Sequence, residues 1–331
     1  MGQKEGQMMN TFESEIIRIV SRKTERANYD NISRTNAYLQ YYRRNPEIMW
    51  SFLASMVSRN AGYNMTDLHS PCFVSALKSE LRDQLFMAYE DANWLIFSDA
   101  YPQLLIYEES RKTGIPLFKL LSAWRVSPFM IKEWEGFFAA QDQERLLTSL
   151  IINEQHLIDR PILRHPVFRR AVFTSFVYRF QDMFHFSTVL FPTLKGELHG
   201  YSVSGFKNKN TRIELGKKLG RLLLKSRCSS EFYLFARAVP HTGARFDYEQ
   251  FFPDRRVPQT PILRMLYPAV CHHIDDYKRD WFHGEDLSRY YFNEEQDGRS
   301  ELTDWFRRKR NQLQLFSTLK EYARVQKKAG K

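Results

Sequence analysis

The stretch FMAYEDANWLIFSDAYPQLLIYEE, Phe86 to Glu109, decides how the rest of the chain is read. At helical spacing Glu90, Trp94, Phe97, Tyr101, Leu104 and Glu108 fall on one stripe, because residues three and four apart share a helix face. The stripe is apolar through its middle and carries a carboxylate at each end. Glu90 and Glu108 stand roughly 27 Å apart along an unbroken helix, too far to act as one carboxylate pair. Pro102 has no amide hydrogen and clashes with the carbonyl of Ser98, so a kink or break is expected near Tyr101. Seven acids stand against the single base Arg82 between Glu80 and Glu109, in a chain of net charge +11, so these carboxylates are expected to face something specific. The plainer reading is a core helix whose acids pair with arginines from neighbouring helices. The sharper one is a metal or catalytic site around Glu90, Asp91 and Asp99.

Outward from this stretch the chain reads as helical. It has 331 residues, 43% of them hydrophobic and 15% aromatic, enough for a large core. Glycine (14) and proline (13) are sparse, which favours long helices over a turn-rich β architecture. The expected fold class is all-α, with about ten to twelve helices in a single domain spanning 1–331 and at most a short hairpin near 196–206. The connector from Asp159 to Pro166 is the candidate boundary between two lobes, and the basic C-terminus from 326 is expected to fray.

Helices are expected over Thr11 to Ala27, over a second segment capped by Asn31 or Ser33 and reaching Arg44, and over Pro46 to Asn60 with Asn45 as its cap. Gly62 reads as the stop of that third helix, so SRNAGYNMTDL (Ser58 to Leu68) becomes a polar turn holding Arg59, Asn64 and Asp67. The aromatic-crowded segment Phe168 to Phe191 reads as a core helix. Thr211 to Ser226 reads as a basic amphipathic helix, with Gly216 and Gly220 one turn apart for close packing. A helix from Ile262 to Arg279 carries Cys271, His272, His273, Asp275 and Asp276. The last helix runs from Leu302 to Gln326, with Trp305, Leu313, Phe316 and Leu319 inward and Arg307, Arg308, Lys309 and Arg310 outward.

The runs WSFLASMVSRNAGYNMTDL (Trp50 to Leu68), YEDANWLIFSDAYPQLLIYEES (Tyr89 to Ser110) and PHTGARFDYE (Pro240 to Glu249) resemble the YppC-type family of Bacillus-like bacteria, over most of the chain. That family is classed as a domain of unknown function. The resemblance implies a cytoplasmic bacterial protein with one family-wide domain, and it brings no activity, cofactor or catalytic residue.

No phosphate loop, GxGxxG turn, GxSxG elbow or HExxH helix is present. His272 and Asp276 are one helical turn apart, but a metal site needs a second contributing element. Glu154 and His156 are two apart where the di-metal motif needs three. No metal or other cofactor is therefore expected. Cys72, Cys228 and Cys271 are far apart and odd in number, which suits a reducing compartment. No signal peptide, myristoylation pattern or membrane-spanning run is found, so the expected location is the cytoplasm.

Two functions follow. The first is a non-enzymatic binding protein for nucleic acid or an acidic protein. Its anion-binding surface is formed by Lys217, Lys218, Arg221 and Lys225 with Arg307, Arg308, Lys309 and Arg310. The second is an enzyme acting on an anionic substrate, with a cleft between the 58–68 turn, the acidic helix 86–109 and the 240–249 turn. Its residues would be Arg59, Asn64, Asp67, Glu90, Asp91, Asp99, His241 and Arg245. Gly243 would open the backbone to an anion, Arg245 would clamp it, and His241 would move a proton. A third reading is peripheral membrane contact through the basic amphipathic helix.

Overall fold

In the computed structural model the described residues are 2–159, 161, 188–202, 208–254, 258, 260–273, 280–292 and 298–329. They form an all-α fold with one small antiparallel hairpin. The first seven helices are α1 (Gly2–Ala27), α2 (Asn31–Arg44), α3 (Met49–Asp67), α4 (Pro71–Ala76), α5 (Ser79–Thr113), α6 (Pro128–Ala140) and α7 (Gln143–Ile158). A 3₁₀ turn over Phe118–Trp124 joins α5 to α6.

The central element is α5, an unbroken helix of 35 residues that touches α1, α2, α3, α7 and the 3₁₀ turn. Leu95, Phe97, Leu104 and Ile106 are fully buried along it. The expected break at Pro102 is absent. Gln103 Nε2 donates to the Asp99 carbonyl at 3.0 Å within the turn that proline loosens. Gln103 Oε1 accepts from Trp134 Nε1 of α6 at 2.8 Å. Burial on this scale outweighs the roughly 3 kcal/mol that a mid-helix proline costs.

The local caps differ from the sequence reading. Asp30, not Asn31 or Ser33, caps α2, its side chain accepting from the Ser33 amide at 2.7 Å. Asn45 ends α2 instead of starting α3, and α3 begins three residues later because Ile48, 1% exposed, is drawn into the core. Gly62 does not stop α3, which continues to Asp67. Its role is space: a Cβ there would meet Asn31 Oδ1 and lie 2.8 Å from His241 Nε2. The antiparallel α2–α3 pair is stitched by Thr35 Oγ1 to Ser58 Oγ (2.8 Å) and Ser55 Oγ to the Thr35 carbonyl (2.9 Å).

Strand β1 (Thr188–Pro192) pairs with β2 (Leu198–Ser202), with Leu190 opposite Gly200. Phe191 therefore lies in a strand and not at a helix end. The rest of the expected aromatic helix, Phe168 to Phe186, lies outside the described residues, as do most of the candidate lobe boundary and Val203 of the expected hairpin. A helix over Lys209–Lys225 packs on α7, where Gly216 sits against Ile151 and Gly220 faces Leu147. Ser229–Ala238 follows. Among the described residues of the expected 262–279 helix, 262–273, Leu263–Leu266 is helical and His272 lies in irregular backbone; Asp275 and Asp276 lie outside the described residues. The C-terminal helix, Thr303–Ala329, packs on α4. Among its described side chains Phe306 and Leu313 are buried and Trp305 is half-buried, whereas Leu319 is exposed and Arg310 turns inward; the Phe316 side chain lies outside the described ones.

Gly62→Ala is expected to destabilise the protein by about 1–3 kcal/mol, the usual cost of overpacking. Gly136→Ala, where nothing lies within 4 Å of the new methyl, is expected to stabilise it by roughly 0.5–1 kcal/mol. Urea unfolding of the two variants reads the difference, and equal stabilities would contradict the packing described for Gly62.

Candidate functional site

The acids of α5 are placed by the helix register, and their partners come from other elements. Glu90 Oε2 meets Arg34 Nη2 of α2 at 2.5 Å, with both side chains at most 5% exposed. The other amino group of Arg34 donates to Asn28 Oδ1 at 3.2 Å. His272 lies over the same turn. Its Nε2 is 3.4 Å from Glu90 Oε1, its Nδ1 is 3.2 Å from Asp91 Oδ1, and its ring stacks on Trp94 at 4.7 Å. Both ring nitrogens face carboxylates, which is the arrangement of an imidazolium. Burial opposes that charge, but Asp91 and Glu90 outweigh it and hold the His272 pKa above its ordinary value. Burial would likewise raise the Glu90 carboxyl, yet Arg34 and His272 hold it below the usual range.

One turn pair further on, Asp99 Oδ2 accepts from Gln103 Nε2 at 2.6 Å and Asn153 Nδ2 at 2.7 Å. Asn153 Oδ1 in turn accepts from Trp281 Nε1 at 2.9 Å. Nearby Glu154 accepts from Trp50 Nε1 at 3.2 Å, and burial pushes its carboxyl up to about 7. At the far end of α5, Glu108 is paired with Arg44 at 3.6 Å and Lys112 at 3.2 Å. The two acidic ends of the helix thus serve different partners.

Asn64, Asp67 and Arg245 do come together. Arg245 donates through Nε to Asp67 Oδ2 (2.5 Å), through Nη2 to Asn64 Oδ1 (2.8 Å) and through Nη1 to Tyr248 OH (2.6 Å). Asn64 Nδ2 reaches Tyr89 OH of α5 at 3.3 Å. Every donor nitrogen of Arg245 has an internal partner in this cluster, which leaves little of it for a substrate.

His241 and Arg59 form a neighbouring group. Asn31 Nδ2 donates to the Ser58 carbonyl at 2.9 Å, so Asn31 Oδ1 faces His241 Nε2, also at 2.9 Å, and that nitrogen carries the proton. Burial pushes the His241 ring down to about 4, although Asp247 stands 3.5 Å from Nδ1. The Asp247 carboxylate instead accepts from Thr242 N (3.0 Å) and Thr242 Oγ1 (2.5 Å). Arg59 donates to the Val239 carbonyl and lies over the Phe235 ring. Gly243, at φ +81°, gives its carbonyl to Thr66 Oγ1 at 2.6 Å.

The basic residues lie on two elements. Lys217 is buried and paired with Glu214 at 3.2 Å, Lys225 pairs with Glu144 at 2.9 Å, and Lys218 and Arg221 are half-buried. On the C-terminal helix Arg307 lies 3.7 Å from Asp254, Arg310 is held beside Glu249, Lys309 is half-buried and Arg308 is exposed. A third cationic surface lies within Ser21 to Arg44, a segment that reads in sequence as basic, with six bases against two acids: an open groove of about 570 Å³ between α1, α2 and α5, lined by Lys23, Arg26 and Arg44. Its sequence signal was the spacing of Lys23 with Arg26 and the polar ladder Ser33, Asn36, Gln40, Arg44. Arg34 was missed as the specific partner of Glu90. Among the described residues no group of three or more His, Cys, Asp or Glu is arranged to hold a metal ion, and no helix is long and apolar enough to cross a membrane.

This fold, with its largely self-paired polar core, is that of a protein family without an assigned activity. The chain belongs to the family described as "Protein of unknown function (DUF2515)", whose model matches residues 26–307. It is 46% identical over 318 residues to the "Uncharacterized protein YppC" of Bacillus subtilis (strain 168), a match covering 95% of this chain and 99% of that protein. No solved structure matches the chain.

The His272 arrangement predicts a pH effect on stability. Its folded pKa is raised, so its contribution is fully present below the ordinary value near 6.5 and is lost as pH rises through the folded value. Urea unfolding of wild type and His272→Gln across pH 6 to 9 checks this. The gap between them is expected to narrow with rising pH. A pH-independent gap would show that His272 is not charged between Glu90 and Asp91. Glu154 titrates in both proteins and cancels in the difference.

Proposed function

We propose that the protein is a non-enzymatic binding protein whose partner is anionic, either a nucleic acid or an acidic protein. The observation that carries this is the use already made of the polar core. Seven of the eight cleft candidates (all except Asp67) are buried, and their charged groups are matched by one another, by Arg34 and His272, by the Gln103 and Asn153 amides, or by backbone carbonyls. An enzymatic cleft needs polar groups aimed at an open space where a substrate sits. The carboxylates of α5 have less claim to that role than to holding helices together.

The surface cations support the binding reading. Lys23 and Arg26 are exposed and have no ion pair among the described residues. Arg308 is also exposed, and the whole chain carries net charge +11. A net positive field raises the encounter rate with anionic partners, and phosphate or carboxylate contacts then fix the complex. The basic residues of the Lys209–Lys225 helix and of the C-terminal helix are candidates for the same role, as secondary contacts.

A gel-shift titration with duplex DNA and fluorescence anisotropy with labelled polyglutamate, both at rising salt, test this reading. At least one of the two is expected to bind at low salt, with an affinity that falls linearly in log–log form as ions are added. Absence of binding to both at low salt would sink the proposal.

A further inference from the structure

Resting on the reading of an anionic partner, we propose that the groove between α1 and α2 is a docking site for an acidic peptide segment, bound in an extended conformation. The groove is a built feature of the helical hairpin. α1 and α2 are joined by a short turn and both lie on α5, which forms the floor. Lys23 and Arg26, three residues apart on α1, make one cationic wall. Asn36, Gln40 and Arg44 follow at helical spacing along the α2 wall. The only acid in the lining, Glu108, is 13% exposed in its side chain and already paired with Arg44 and Lys112.

Length and chemistry point to a peptide. From Ser33 to Arg44 the α2 wall runs about 16 Å at the rise of a helix. An extended chain advances roughly 3.3 Å per residue, so about five residues would span it. Arginine presents a planar fork that clamps a carboxylate bidentately, and the Asn36 and Gln40 amides carry both a donor and an acceptor, as a peptide backbone requires.

Single-stranded nucleic acid is the competing occupant, and it binds largely by stacking bases on exposed aromatic rings. The only aromatic ring lining the groove, Tyr101, is 8% exposed and stacked on Phe97 at 4.5 Å. It offers no free face. A drug-like small molecule is also a poor fit, because such ligands need an enclosed, mainly apolar pocket, whereas this groove is open and cationic.

Anisotropy with fluorescein-labelled hexaglutamate and hexathymidylate, on the full chain at low salt, tests the proposal. Three proteins are compared: wild type, Lys23→Glu with Arg26→Glu, and a control of equal charge change on other faces, Lys78→Glu with Lys132→Glu. Hexaglutamate is expected to bind wild type more tightly than hexathymidylate does. The groove reversal is expected to weaken it by at least about tenfold, and the control by less than about threefold, since only the groove contacts are lost outright. Circular dichroism confirms folding, and Lys23→Gln with Arg26→Gln serves if the reversal unfolds the chain. Hexaglutamate binding that survives the groove change overturns the groove while leaving the anionic-partner reading intact. Tighter hexathymidylate binding that the groove change abolishes overturns the peptide assignment. Binding of neither probe overturns the groove proposal. The reading it rests on fails as well only if duplex DNA and polyglutamate are also unbound.

Discussion

The buried pair of Arg34 and Glu90 is the constraint on which the arrangement of the first half of the fold depends. Arg34 is 1% exposed and lies at 2.5 Å from a carboxylate that is itself buried. An ion in a dry interior is costly by several kcal/mol unless its partner is in place. The pair therefore locks α2 to α5 at one register. Its reach extends further. Arg34 holds the α1–α2 turn through Asn28, and Glu90 with Asp91 holds the irregular segment at His272. Three separate stretches of chain converge on one helical turn.

Much of this was legible in residues. The stripe of Glu90, Trp94, Phe97, Tyr101 and Leu104 packs into the core, the all-α class holds with a short hairpin, and Glu90 and Glu108 meet arginines from neighbouring helices as the plainer reading had it, whereas Asp91 meets His272 and Asp99 meets Gln103 and Asn153. Close packing at Gly216 and Gly220 was legible in their one-turn spacing, though not that α7 is the partner. What stayed hidden was set by tertiary contact. Pro102 reads as a breaker because local rules cannot count the burial on every side of it. Gly62 reads as a helix stop because its reason, the approach of Asn31 and His241, comes from residues distant in sequence. Asn45 reads as a cap for the helix after it, yet its amide bonds the helix before it.

The candidate site was legible in part for the same reason. Asn64, Asp67 and Arg245 were foreseen as neighbours, and they meet. Sequence could not show that their hydrogen bonds would be spent on each other. Nor could it rank the cationic surfaces. The densest basic runs lie on helices whose lysines and arginines fold back onto nearby acids, as with Lys225 and Glu144. The less conspicuous Lys23 and Arg26 face an open groove. Charge density along a chain is a weaker guide to a binding face than the presence of acids within reach of each cation.

The division between a structural acidic core and a binding surface outside it is tested most directly by a double-mutant cycle at Arg34 and Glu90, read by urea unfolding. Arg34→Met and Glu90→Leu should each cost about 3–5 kcal/mol alone, because each strands a buried charge. The double variant should recover most of that loss, giving a coupling of at least about 2 kcal/mol. A Glu90→Leu protein as stable as wild type, with no coupling to Arg34, would contradict this account. It would mark Glu90 as a carboxylate kept for chemistry and not for holding α2 to α5.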